Sequence, residues 1–479
     1  MKDIAERALN QAQVAGASYA DVRVVSQRSE VISVKNGKVE ALTRGSSQGF
    51  GVRVIAGGAW GFASSNQLTT GEADRVAALA VAIARASALA KKGDVQLSAV
   101  RPAQAKYATP VDQDPLEVSL EDKLALLMGC DEAMRRAKGL SVAESSLEAA
   151  VEDKLFASTE GSFIEQRIVT CGGGIEATAV TADEVQTRSY PNSFGRQAGT
   201  AGWEFIENLQ LAENAERIAS EAVELLSTKQ CPSTTTTLIL DGTQLALQVH
   251  ESCGHPIELD RVMGMEAAYA GTSFLTTDKL GHFRYGSELV NIVADATAPR
   301  GLGTFGYDDE GVPGQRTPIV REGVFVGYMS SRETAPLIGQ TSSGTMRADG
   351  WNRIPLIRMT NVNLKPGTWT LDDLIADTDD GIMMAVNSSW SIDDKRLNFQ
   401  FGTELAWEIK AGKKGALLKN ATYTGITPDF WGSCDAICDA NHWQLWGTTN
   451  CGKGQPGQTM YVGHGVAPAR FRNVRVGIV

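Results

Sequence analysis

The stretch Cys231-Pro232-Ser-Thr-Thr-Thr-Thr-Leu-Ile-Leu-Asp-Gly-Thr-Gln-Leu-Ala-Leu-Gln-Val-His250-Glu251-Ser-Cys-Gly-His255-Pro256 separates two parts of the chain with different texture. Its opening Cys-Pro and the Ser/Thr run behind it form a boundary signal. Ahead of it, long helical patterns alternate with extended runs. Behind it, long helical patterns become rare, and short β runs divided by Gly, Pro, Asn and Asp continue to the end. The predicted fold class is α+β: an N-terminal α+β domain over residues 1–230, then a β-rich C-terminal domain over residues 231–479 that carries the helix of this stretch.

Toward the N-terminus the patterns are regular. Residues 2–15 place Ile4, Ala8, Leu9 and Ala12 on one helical face. Residues 20–25, 31–34 and 38–42 read as strands, with Asn36-Gly37 as a hairpin turn. Gly57-Gly58 marks a second hairpin, between 50–55 and 60–63. Residues 71–92 form an Ala-rich helix, and 101–115, with Pro102, Pro110 and Pro115, a connector. Helical patterns return over 119–137 and 211–228, with extended text over 141–188 between them. No short-period repeat is present.

The 479 residues are too many for one simple core, and 43% hydrophobic with 21% charged residues describes a folded chain. A net charge of −11 does not attract phosphate backbones, so no direct nucleic-acid partner is expected. The longest basic cluster, around Lys410, Lys413 and Lys414, reads as a solvated turn. Seven cysteines are odd in number and sparse, which argues against a disulfide framework. Asp3 and Glu6 stand where a signal peptide needs an apolar run. The most apolar stretch, 76–90, is interrupted by Arg85 and too short to span a bilayer. The expected setting is a reducing cytoplasm, with no membrane association.

The chemistry concentrates in His250-Glu251-Ser-Cys-Gly-His255. The chain has only five histidines. The chance that composition alone puts a second one five residues after a His-Glu pair is well under ~1%. Two histidines four apart stand about 40° apart on a helix and can share a metal. Five apart they stand about 140° apart, and a regular helix cannot close both onto one ion. Gly254 offers a left-handed C-terminal conformation, and Pro256 disfavours helical geometry at His255. The helix is therefore predicted to run from about Thr243 to Cys253 and then loosen, so that His255 swings back toward His250. Glu251 is the candidate general base, taking a proton from a water that attacks a carbonyl. The bland alternative is a polar helix end without a metal.

A catalytic zinc needs a third protein ligand and an open position. By chemistry the candidates are Cys253, Glu258, Asp260, His282, His442, His464 and the late cysteines, with Glu258 and Asp260 the best local choices. Cys434, Cys438, Cys451 and His442 would make an alternative structural site, against which stand ordinary buried thiols. His464 and Tyr461 are candidates to stabilise the oxyanion of a tetrahedral intermediate. Trp431, Trp443 and Trp446 read as core anchors. Gly301-Leu-Gly303 is too short for a dinucleotide fingerprint.

His250-Glu251-Ser-Cys-Gly-His255-Pro-Ile-Glu258 resembles the active-site motif of the TldD branch of the TldD/PmbA metallopeptidases. Asn450-Cys451-Gly-Lys453-Gly-Gln-Pro-Gly-Gln458 is similar to that family's C-terminal segment. So are Tyr19-Ala-Asp-Val-Arg23, Gly49-Phe-Gly-Val-Arg53 and Tyr307-Asp-Asp-Glu310-Gly-Val-Pro-Gly314 to other parts of it. The resemblance spans almost the whole chain. It implies that Cys451 is the third zinc ligand, and that the chain cleaves short or unfolded peptides inside an enclosed dimer cavity. It also implies a partner subunit, either a motif-less PmbA/TldE-like paralogue or a second copy of the chain. Two other readings stay open at this level: a non-catalytic zinc-containing scaffold or partner subunit, and a zinc amidase acting on a non-peptide bond.

Overall fold

Val22 and Val24 alternate with Asp21 and Arg23 along the strand Tyr19–Lys35. The period of two sends the valines to one face of a sheet and the charged residues to the other. A computed structural model, describing residues 1–477, shows that strand at the centre of an eight-stranded sheet. On one side it pairs with Lys38–Ala56, which turns back into Ala59–Ser65. On the other it pairs with Leu140–Ser158, followed by Phe163–Val180. The short strands Gln104–Ala108, Val185–Tyr190 and Gln197–Gly199 complete it.

Helices Lys2–Val14 and Thr70–Ala88 press Ala5, Ala8, Ala12, Ala73, Ala77 and Ala80 onto Val22, Val24, Val52 and Val54. Helices Leu120–Arg135 and Leu211–Ser227 cover the remainder, with Met134, Ile218 and Ala222 against Ala143, Ile175 and Ala177. The run Ser26-Gln-Arg-Ser-Glu30, which parts two short predicted strands, is strand throughout. Gln27, for example, pairs with Ser47 on one side and Glu152 on the other. Ladder pairing from both neighbours outweighs the weak β propensity of these polar residues.

The charged face is covered by the second half of the chain. Arg53 lies 2.7 Å from Asp21 and 3.2 Å from Glu310. Arg23 and Lys154 reach Asp309 at 3.5 and 2.8 Å. The stretches around residues 21, 53 and 310 thus meet in one buried ion network between the halves.

The second half is built from two larger sheets. In the first, Asp380–Ile392, Thr234–Leu240, Ala469–Val476, Ala421–Ile426 and Asn398–Lys410 form a ring, because the first of these also pairs with the last. In the second, the order is Val324–Phe325, Arg316–Arg321, Ile292–Asp295, Asn361–Leu364, Gln458–Val466, Gln444–Lys453. The helix Gly242–Val249 contacts strands of both sheets. Asp241 caps it, accepting from the Thr243 amide at 2.9 Å. Nearly every residue of this helix is buried, so it carries no amphipathic stripe. Its two buried glutamines are each bonded at one end only, with Gln244 Oε1 and Gln248 Nε2 left without a partner among the described residues. The Tyr423 hydroxyl accepts from Gln244 and donates to Gln248, both at 2.9 Å. Among the described residues no helix is long and apolar enough to cross a membrane.

Candidate metal centre

The predicted loosening at Gly254 gives way to a different solution. His250–Gly254 forms a π-helical turn, closed by the His255 amide donating to the His250 carbonyl at 3.2 Å. His255 stays right-handed, at φ −67° and ψ −43°. An i→i+5 turn carries His255 roughly above His250 instead of about 140° around the axis. The two rings meet edge to face, with centroids 4.9 Å apart. Gly254 matters for its missing side chain, since a Cβ there would stand 2.3 Å from Met359 Sδ.

Hydrogen bonds fix which nitrogen each ring presents. The Val362 carbonyl can only accept, so His464 Nδ1, 3.2 Å away, carries its proton. Burial, with His250 adding to it, holds His464 well below the usual imidazole range, and its Nε2 is therefore an acceptor. His250 Nδ1 donates to that Nε2 at 2.8 Å, which leaves His250 Nε2 with a free lone pair. Burial likewise keeps His250 neutral. His255 Nδ1 donates to Glu258 Oε2 at 3.0 Å, and its Nε2 faces Cys451 Sγ at 3.8 Å.

Cys451 arrives on the edge strand Gln444–Lys453, at the irregularity between Thr448 and Cys451. Burial opposes ionisation of its thiol. Arg358 and His255 outweigh that, and the thiol sits below its usual range. One ligand atom from each of His250, His255 and Cys451 lies within 4.8 Å of the others, and all three residues are buried. Two neutral imidazoles and a readily ionised thiol suit a borderline-soft divalent ion such as zinc.

The other sequence candidates are not part of this cluster. Glu258 is engaged by His255, and Asp260 by Lys453 at 2.7 Å. Lys453, fully buried, also stands 3.4 Å from Glu258 and 3.4 Å from Glu266. Cys253, Cys434 and Cys438 are buried, and burial pushes each thiol up to about 12. His442 pairs with Asp439 at 2.8 Å on a loop, and His282 is exposed. Trp431 and Trp443 anchor structure, donating to Ser252 Oγ and the Leu364 carbonyl at 2.9 Å each. His464 is fully buried behind His250, with both ring nitrogens engaged, and Tyr461 lines a separate cavity beside Arg347. The oxyanion role expected for either has no geometric support in this chain.

Glu251 lines a cavity of about 290 Å3 together with His250, His255 and Cys451. Its walls come from both halves: Phe194 and Arg196 from the first, Trp390, Arg396 and Thr448 from the second. Arg396 Nη1 donates to Glu251 Oε2 at 2.8 Å. Nothing in the sequence singled Arg396 out, because a basic residue in a turn between two strands reads as solvated.

Three consecutive domain models of the PmbA/TldA metallopeptidases match this chain: domain 1 over residues 20–90, the central domain over 113–229 and the C-terminal domain over 233–477. A metalloprotease of Methanocaldococcus jannaschii is 31% identical over 93% of this chain and 94% of its own length. A metalloprotease TldD homolog of Buchnera aphidicola is 28% identical over 96% of this chain and 92% of its own. The crystal structure of TldE from Thermococcus kodakarensis shares the fold, with a TM-score of 0.75 at 17% identity over 99% of each chain. The protein is a metallopeptidase. It belongs to the PmbA/TldD family, and its TldD-named relatives put it with that branch.

Proposed function

We propose that this chain is a zinc-dependent peptidase that cleaves short or unfolded peptides, with His250, His255 and Cys451 as protein ligands and Glu251 as general base. The observation that carries the reading is the convergence of two neutral imidazoles, an acidified thiol and a cavity-facing carboxylate in one place. A relative from Saccharolobus solfataricus, 22% identical over 98% of each chain, is named a zinc metalloprotease TldD homolog. When bound, zinc supplies Lewis acidity, which makes water a nucleophile near pH 7 and polarises a carbonyl.

The chain's own residues do the rest. Glu251 accepts the proton of the attacking water and returns it to the leaving amine. His464 and Glu258 hold the two imidazoles in the tautomers that turn Nε2 outward. A cavity of about 290 Å3 walled by both halves suits an extended chain and has no room for a folded domain. Pairing with a motif-less TldE-like subunit, or with a second copy, would enclose it further, and the cytoplasm is the proposed compartment.

The test is metal analysis beside peptide cleavage. The Glu251→Gln protein should keep one zinc and lose about 10²–10⁴-fold in rate. The Cys451→Ala protein should lose stoichiometric zinc. Undiminished cleavage by the first, or full zinc in the second, overturns the reading.

A further inference from the structure

The hairpin that joins Asp380–Ile392 to Asn398–Lys410 turns through Asp393-Asp-Lys-Arg396-Leu. Arg396 has φ 63°, a left-handed conformation that long side chains avoid and that clusters at functional sites. The turn is held on several sides. The Arg396 amide donates to the Asp393 carbonyl at 2.8 Å, and its carbonyl accepts from Thr427 Oγ1 at 3.0 Å. Asp394 and Lys395 accept from the Thr272 and Phe274 amides at 2.9 Å each. Gly271 permits that docking, since a Cβ there would stand 2.3 Å from the Asp394 carbonyl oxygen. The hairpin tip is therefore fixed to the segment that follows the metal-site helix.

From this fixed point the Arg396 side chain enters the cavity that holds Glu251 and the three proposed ligands. Nη1 is committed to Glu251. Nε is buried and has no partner. Among the described residues Nη2 makes no hydrogen bond either, so the guanidinium beside the cavity keeps donors uncommitted after its bond to Glu251.

We infer that Arg396 is the electrophilic residue of the proposed peptidase, holding Glu251 with one donor and offering the others to the scissile carbonyl oxygen as negative charge develops there. This rests on the peptidase reading above. As water oxygen bonds to the carbonyl carbon, the π electron pair moves to the carbonyl oxygen and the water proton passes to Glu251. Collapse reforms the carbonyl, breaks the C–N bond and returns the proton from Glu251 to the amine. Arg396 donates hydrogen bonds throughout and transfers no proton, as a guanidinium must. It takes the part that His464 and Tyr461 are not placed to play.

The experiment compares Arg396→Gln, Arg396→Lys and Glu251→Gln in the full-length, zinc-loaded protein, using a fluorogenic unfolded peptide. Arg396→Gln should lower kcat by about 10²–10³-fold. Its KM should stay within about threefold, because the interaction is made in the transition state. Zinc content should be unchanged, and Arg396→Lys or added guanidinium should restore part of the rate. As a readout apart from turnover, calorimetric affinity of the Glu251→Gln protein for the uncleaved peptide should not change when Arg396→Gln is added. A raised KM at full kcat, a weakened calorimetric affinity, or loss of zinc overturns the inference. Undiminished cleavage by Glu251→Gln would instead sink the proposed mechanism with Glu251 as base, whereas an inactive Glu251→Gln beside a fully active Arg396→Gln sinks only the role of Arg396.

Discussion

His464 Nε2 stands 2.8 Å from His250 Nδ1, and a backbone carbonyl, that of Val362, stands behind His464. The chain of donors has one direction. It starts from a group that can only accept and ends by baring the lone pair of His250 Nε2.

Removing that support should weaken the metal without unfolding the protein. His464→Ala is expected to raise the zinc dissociation constant by about 10–100-fold, as measured by chelator competition. His464→Gln can accept from His250 and donate to Val362, and should recover most of the affinity. Equal affinities in all three proteins would contradict the relay.

The π turn depends on the close approach of Met359 to Gly254. Gly254→Ala should cost about 1–3 kcal/mol in denaturant unfolding and weaken zinc binding with it. A second change, Met359→Ala, frees the space that the new Cβ needs and should restore the zinc affinity more than the stability. Failure of that rescue would mean that something other than the Met359 contact confines Gly254.

Arg53 serves two buried carboxylates from opposite halves of the chain, Asp21 and Glu310. Arg53→Met leaves both without their cation and is expected to destabilise by about 3–5 kcal/mol, read from urea midpoints. Adding Glu310→Gln should reduce the loss, because one uncompensated charge disappears. A cost near zero for the single change would show that the network is solvated in solution.

Glu404 predicts a pH dependence. Burial raises its carboxyl to about 7, although Arg188 and Ser189 donate to it. The unfolded chain would titrate it near 4.5, so between these values the folded state holds more protons. Its contribution to stability is fully present below pH 4.5 and is lost as pH rises through about 7. In the Cys451→Ala background, where zinc does not intrude, Glu404→Gln should flatten the slope of unfolding free energy between pH 5 and pH 8. An unchanged slope would contradict the assignment.

The pair His250-Glu251 and His255 stood out in the sequence because these residues are neighbours in a chain with few histidines. Cys451 did not follow from spacing. It lies 196 positions from His255, and only its likeness to a known segment raised it above Glu258 and Asp260. The π turn was illegible because Gly254 and Pro256 carry the same marks as an ordinary helix end. The long strands were only partly legible: Ser26–Glu30 has no apolar alternation, and two flanking strands supply what its composition lacks. Arg396 had no local signal, since its position depends on which segment its hairpin docks against.

The separation of His255 from Cys451 has a temporal meaning. A chain emerging from the ribosome exposes the imidazole pair and Glu251 long before the strand bearing the thiol, or the later one bearing His464, has been made. On the proposed ligand set, an unfinished polypeptide cannot grip its ion firmly, and a prematurely terminated one never does. On that ligand set, strand pairing across the distance would act as a fuse, leaving hydrolysis to wait until synthesis of the β-rich half is nearly over.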